Sequence, residues 1–506
     1  MRPVAVWVVA FLFSMEFWPF YLSMDDEAVV VYGSQRILLG EWPYRDWDTH
    51  LSPGSFLLGA AWFAVVGFHA PTTRMLFSCV FALSAVCIDG AARRCLPRGW
   101  DYLPVFLWCS GGVMDFPILS YHWLASAMAV ATLWAGLIWV AQPTPRRAFL
   151  LGACLAGAGW FLQSEGLVCT LMVLFWWLRF RPKHVGWVLA GCVLVSLLLW
   201  LPVIQQWPQV VAQNVGLGKH LSFNRKPYSW ANLAFFMQHY QDLSWDQGIV
   251  PALARGSHAA INGFRYLSFP WLIVLTWATC ERGKDKPGIV LALALLAWAL
   301  GTANRHTLLY VSFLNPGWVV LLSKGLQKLP RGAVLGGALA LAELVGWTSR
   351  WYLRQRAFVY PISTRSGVYY AADPFEARGQ SRLFGWLNEL PPQTDVLAFP
   401  YATRLYTLGQ LHNPTRHQTL LPLLDPPSIF EETQRCLVKK QVQWLVYLGP
   451  IASEIEGDIG IPAARVEAEW EKMRVQMTDG YQLVRGTVRG GLYQRIFPGG
   501  SQTRKQ

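Results

Sequence analysis

Over its first two thirds the chain alternates between long apolar blocks and short polar breaks, and then it loses that rhythm. Blocks such as 103–118 and 185–203 approach the roughly 20 residues that a helix needs to cross a bilayer. Five breaks are rich in Arg or Lys: Arg93, Arg94 and Arg98; Arg146 and Arg147; Arg179, Arg181 and Lys183; Arg282, Lys284 and Lys286; Lys324, Lys328 and Arg331. Short loops that carry Lys and Arg stay on the cytoplasmic side, which assigns all five to the cytoplasm. Each stretch between consecutive breaks holds one further polar interruption, at 115–122, 163–165, 205–265 and 301–306, and these then face outward.

The stretch 53–68 is also apolar, but at about 16 residues it is short for a span. Were it to cross, the later assignments would invert or the N-terminus would move outside. It reads instead as an interfacial helix on the outer side, following an amphipathic helix over 27–39. This predicts about eleven crossings, a cytoplasmic N-terminus and an external tail. The N-terminal run ends in Phe17, Trp18, Phe20 and Tyr21 rather than a small-residue cleavage site, so it reads as an uncleaved first span with interfacial aromatics.

After about Trp351 the polarity becomes ordinary. Segments 394–399 and 443–448 predict short buried strands, and 381–389, 428–440 and 462–477 predict helices. Residues 481–497 predict a strand pair around Gly490-Gly491. Strands alternating with helices predict an α/β unit. The expected fold class is therefore a polytopic α-helical membrane protein with interfacial helices in its first outer loop and a small C-terminal extracytoplasmic α/β domain. Residues 1–350 would form the transmembrane body and 351–506 the tail, in the cytoplasmic (inner) membrane.

Composition agrees: 53% of the 506 residues are hydrophobic and 14% are charged, against about a quarter charged in soluble chains. A net charge of +13 would suit nucleic acid, but the loops account for it and no nucleic-acid partner is expected. Of nine cysteines only Cys436 falls in the tail, which therefore cannot close an internal disulfide. No CxxC or Cys/His cluster points to structural zinc, and no GxGxxG or P-loop to a nucleotide.

Candidate chemistry concentrates in the first outer loop, 23–52, where Asp25, Asp26, Glu27, Glu41, Asp46 and Asp48 accompany Arg36 and Arg45. Asp25 or Asp26 can cap the helix that follows, and Asp46 and Asp48 can be turn residues after Pro43. The same groups suit a sugar transfer at a membrane surface. There a carboxylate takes the proton of an attacking hydroxyl, and cations or a metal stabilise a departing lipid phosphate. The order Asp26-Glu27-Ala28, Tyr32, Gln35-Arg36-Ile37-Leu38, Gly40, Pro43-Tyr44-Arg45-Asp46, Pro53-Gly54 resembles the signature of GT-C membrane glycosyltransferases. The nearest branch is the protein-mannosyltransferase-like and RgtA–D-like group. Ala28 replaces a common Gly, and Ser52-Pro53 a common Pro-Pro. The resemblance implies a polyprenyl-phosphate-linked sugar donor, Asp26 as base and Asp25 as its neighbour.

Other polar residues on the outer side complete the candidate set. Arg74 opposes the positive-inside rule, which points to a ligand or carboxylate partner or a lipid-headgroup contact, and the resemblance implies an Arg near the donor phosphate. Asp115 and His122 lie in one outer turn, where His122 can protonate, bind phosphate or hydrogen-bond within the bundle. Gln163 and Glu165 occupy another, where Glu165 can pair with an Arg. Relatives carry Arg and His near Arg305 and His306, which suit phosphate or interfacial snorkelling. The expected catalytic residues are thus Asp26 and Asp25, with Glu27, Arg45, Asp46, Asp48, Arg74, Asp115, His122, Arg305 and His306 for donor phosphate and substrate. Paired carboxylates also suit a divalent cation, Mg²⁺ or Mn²⁺. The expected partners are a lipid-linked sugar, the membrane, and an acceptor glycan, lipid or protein. A transporter or lipid flippase is the alternative; it would place charges near the bilayer midplane in repeated halves, whereas here they cluster at one face.

Overall fold

The computed structural model describes residues 1–16, 18, 25–112, 118–213, 285–301, 316–371, 374–400, 402–418, 420, 427–449, 463–487 and 490–496, with the side chains of Asp25 and Asp26 outside that set. Among the described residues, twelve α-helices come first: α1 (Arg2–Met15), α2 (Asp25–Leu38), α3 (Gly54–Val66), α4 (Ala70–Cys95), α5 (Leu103–Gly112), α6 (Tyr121–Ala141), α7 (Pro145–Phe161), α8 (Gln163–Phe180), α9 (Val185–Trp200), α10 (Lys286–Gly301), α11 (Pro316–Gln327) and α12 (Gly332–Ala357). Among the described residues, three stretches are helical, long and apolar enough to cross a membrane: Pro71–Cys95, Tyr121–Ala141 and Val185–Gln213.

Local chemistry sets the helix starts. Ser120 and Thr144 cap α6 and α7 by accepting from the backbone N–H three residues on, and Pro145 opens α7 where its missing N–H is not needed. Arg2 fastens α1 to the far end of α4, donating to Asp89 at 2.5 Å and to Asp101 at 2.6 Å, while Arg93 holds the other oxygen of Asp89 at 3.0 Å. Asp89 is fully buried, a placement that a carboxylate tolerates only when paired.

At the opposite end of that pair lie α2 and α3. With 13 residues, α3 is about 20 Å long, short of the ~30 Å apolar core of a bilayer. It starts beside Gly159 of α7, whose carbonyl accepts from Ser52 at 3.0 Å, and only three residues separate its end from the start of α4. Both its ends therefore stand on one face of the bundle.

The tail holds a hairpin of β1 (Tyr360–Thr364) and β2 (Gly367–Ala371), then α13 (Pro374–Glu389), β3 (Val396–Phe399), α14 (Thr403–Gly409), α15 (Pro427–Lys439), β4 (Trp444–Leu448), α16 (Ala463–Met477), β5 (Tyr481–Thr487) and β6 (Gly490–Arg495). Its main sheet runs β3-β4-β6-β5, with β3 and β4 parallel and the other pairs antiparallel. Successive strand residues face opposite ways, so Val396 and Ala398 join a core with α13 and α14, while Leu397 and Phe399 join another with α15 and α16. Tyr32 of α2 sits inside the first of these cores. The sequence predicted the main strands and α13, α15 and α16; the β1–β2 hairpin and α14 are additional. The helix α12 runs unbroken across residue 350.

Candidate functional site in the first outer loop

The segment after α2 is built around a tight turn. Gly40 ends the helix with φ +88°, a left-handed value that suits glycine. The backbone then folds so that Tyr44 N donates to Trp47 O at 2.8 Å, and the Tyr44 hydroxyl reaches Leu51 O at 2.5 Å. Trp47 is fully buried against Phe56 of α3, edge to face. This turn closes the loop back onto the α2–α3 pair.

Three other outer interruptions meet the same loop. Leu119 N donates to Glu27 at 3.0 Å, Gln163 reaches the carbonyl of His50 at 3.4 Å, and Gln213 grips both Asp48 (2.7 Å) and the N–H of Thr49 (3.0 Å). Segments assigned to one face by their loop charges thus converge on residues 27–52.

Glu27, in the first turn of α2, forms an ion pair with Arg74 of α4 at 2.8 Å. The Arg74 side chain is 2% exposed and that of Glu27 14%. Burial pushes the Glu27 carboxyl above its ordinary range, and the Arg74 charge and the Leu119 N–H pull it part of the way back. Tyr369 of β2 stands close enough for the Glu27 charge to add to the upward push of burial on its hydroxyl. The first turn of α2 is therefore an enclosed polar site made by the loop, α4, the start of α6 and the tail. Asp25 and Asp26 open this turn, and their side chains lie outside the described residues.

The other expected residues divide. Arg45 and Asp46 pair with each other at 2.7 Å at the surface, and Asp46 also receives the N–H of Trp42, so these two build the turn rather than join Glu27. Asp48 faces the tail, accepting from Arg416 at 2.8 Å and standing 3.2 Å from His417 Nδ1. Burial would raise the Asp48 carboxyl, but His417 and Arg416 outweigh it and hold it below the usual range. His122 is buried in the first turn of α6 with its ring 4.3 Å from that of Tyr121. Glu165 is buried beside Trp298 of α10, and no Arg pairs with it among the described residues. Asp115, Arg305 and His306 lie outside the described residues. No three His, Cys, Asp or Glu come together as a metal-holding group among the described residues. The Asp25–Asp26 pair, which carries the cation expectation, is outside that test.

Several further residues complete the junction with the tail. Arg36 is buried with its guanidinium 5.8 Å from the Tyr32 ring and 5.6 Å from the Trp47 ring, and it pairs with Glu41. Glu41 also meets His412, and the Tyr32 hydroxyl accepts the N–H of Asn413 at 2.7 Å. Tyr32 and Arg36 belong to the ordered run that resembles the signature and Glu41 to the acidic first loop; that they meet the tail is seen only in the fold. A polar cleft of about 500 Å³ opens between loop and tail, lined among others by Arg36, Glu41, Arg45, Arg416 and Lys440.

A helical body, two short helices in the loop after α1 and an α/β unit packed on them form a fold shared with several solved structures. Solved structures with this fold include ArnT from Cupriavidus metallidurans bound to undecaprenyl phosphate, at 11% identity over 98% of this chain and 97% of that one, with a TM-score of 0.56. The archaeal oligosaccharyltransferase AglB from Archaeoglobus fulgidus, in complex with an inhibitory peptide and a dolichol-phosphate, matches at 12% identity over 98% and 74%, TM-score 0.53. The arabinofuranosyltransferase AftD from Mycobacteria matches at 14% over 97% and 41%, TM-score 0.50. No family model matches the chain, and no curated protein matches it by sequence.

Proposed function

We propose that this protein transfers a sugar from a polyprenyl-phosphate donor to an acceptor outside the cytoplasmic membrane, with inversion at the anomeric carbon. The observation that carries the reading is the buried Glu27–Arg74 pair in the first turn of α2. A fold shared with proteins captured on undecaprenyl phosphate and dolichol-phosphate supports it. In this reading residues 1–350 cross the membrane about eleven times, the N-terminus is cytoplasmic, and residues 351–506 lie outside.

Asp26 takes the proton of the acceptor hydroxyl as that oxygen attacks the anomeric carbon. The bond from carbon to phosphate oxygen breaks on the opposite face, and its electron pair leaves with the lipid phosphate. Arg74, oriented by Glu27, and the positive end of α2 stabilise the charge that develops there. The phosphate leaves without a protonating acid, so one carboxylate suffices where hydrolysis of a glycoside uses two. The polar cleft between loop and tail is the approach for the acceptor, which is recognised by Arg45, Arg416 and Lys440.

The test is Asp26→Asn, assayed in membranes with a labelled polyprenyl-phosphate sugar. Transfer should fall by at least ~100-fold with expression and membrane insertion unchanged. Full activity would remove Asp26 from the mechanism. Glycolipid profiles of a deletion strain would identify the acceptor.

A further inference from the structure

Two histidines of the tail each stand between two carboxylates at its junction with the first outer loop. His412 places Nε2 2.9 Å from Glu41 Oε1 and Nδ1 2.5 Å from Asp395 Oδ1. His417 places Nδ1 3.2 Å from Asp48 Oδ2 and Nε2 3.6 Å from Glu432 Oε2. In each pair one carboxylate belongs to the loop and the other to the tail. An ionised carboxylate only accepts, and a neutral imidazole has one N–H, so the two hydrogen bonds of His412 require the imidazolium, whereas His417 reaches only Asp48 within hydrogen-bond distance.

The backbone makes both contacts stiff. His412 N donates to Thr394 O and Val396 N to His412 O, both at 3.0 Å, which locks the ring to the edge of β3. On the loop side Glu41 also holds Arg36, whose Nη1 reaches Thr415 O at 3.4 Å. A chain of charge thus runs from Asp395 through His412 and Glu41 to Arg36 in α2. At the second point Asp48 N donates to Arg416 O at 2.8 Å, and the Asp48 carboxylate is shared by Arg416, His417 and Gln213. Glu41 and Asp48 bracket the Pro43-Tyr44-Arg45-Asp46 turn, so the tail pins that turn at both ends.

We propose that His412 and His417 are positioning residues, a two-point clamp by which the tail fixes the first outer loop and, through Arg36, the helix that carries Asp26, with His412 as its imidazolium arm. This rests on the transfer reading for its consequence but not for its existence. Arg36 of α2 shares Glu41 with His412, the Tyr32 hydroxyl lies near Glu41 and Asp395, and His417 shares the cleft with Arg45, Asp46, Arg416, Cys436 and Lys440. Burial would lower His412, but the hydrogen bonds and charges of Asp395 and Glu41 outweigh it and raise it to about 9. A pKa raised above the ordinary 6.5 means that the His412 arm is fully set below pH 6.5 and is released as pH climbs through about 9. Glu41 and Asp48 are held below the usual carboxylate range, so the clamp persists well into acid.

The measurement is hydrogen–deuterium exchange of the 39–48 segment in the full-length protein in lipid nanodiscs, each pH being normalised to the urea-unfolded chain. Wild-type protection should drop by ~10-fold or more between pH 6.5 and 9.5. The His412→Gln/His417→Gln double variant should start low and stay level, with α4 and α7 as protected as before. His412→Lys, which keeps its charge to higher pH, should shift the drop upward. A level wild-type profile, or the same drop in the double variant, overturns the clamp. If the clamp opens on schedule while the rate of sugar transfer stays constant over the same interval, the positioning role is overturned. Because exchange needs no substrate, failure of the transfer reading would show separately, in Asp26→Asn.

Discussion

Arg74 and Glu27 set a buried guanidinium 2.8 Å from a largely buried carboxylate. Breaking such a pair from one side leaves an uncompensated charge, at a cost of about 3–5 kcal/mol. Arg74→Met should therefore lower the thermal stability of the purified protein by about that amount and abolish transfer. Arg74→Met combined with Glu27→Leu should regain much of the stability and none of the activity, a double-mutant cycle that separates the two roles. Arg74 stood out in the sequence because a cation on the outer face opposes the usual bias of charge, and the structure pairs it with Glu27. That Arg36 and Glu41 meet Thr415 and His412 of the tail was silent, because those partners lie up to 379 residues away. Spacing along a chain cannot show which distant ions meet.

At the scale of elements, the short helix α2 is gripped from two sides, by α3 and by α14. The α3 contact is close: a Cβ added at Gly59 would stand 2.2 Å from Ser34 Oγ, itself buried and bonded to Val30 O at 2.7 Å. Gly59→Val should wedge the two helices apart, cost about 1–3 kcal/mol and depress transfer, as read from the melting temperature and the rate. Gly186→Ala, where a Cβ meets nothing within 4 Å, should leave both unchanged. The bounds of α2 were legible from its amphipathic period and those of α3 from the length of its apolar run, with Gly40 and Pro53 punctuating them. The seven-residue α14 was not, because all but one of its residues are buried and no polar face marks its period. The β1–β2 hairpin was obscured in the same way: its exposed Tyr360 and Val368 blur the alternation of a strand.

For the whole molecule, the loop charges and the span lengths led to one face for residues 27–52, 119, 163 and 213, and these are in contact. A topology reporter fused at Gly379 should read external, and a cytoplasmic signal would reverse the orientation. What hydropathy could not convey is how body and tail interlock, since that depends on side chains from both. Tyr32 stacks on Tyr406 at 4.8 Å inside the tail's own core. A chain cut near residue 350 would thus strip an aromatic ring of its packing and bare the outer side of α2 to water. Anyone grafting this tail onto another membrane body would have to transplant Tyr32, Arg36, Glu41 and Asp48 with it, because the seam between the halves runs through the loop and not through the linker.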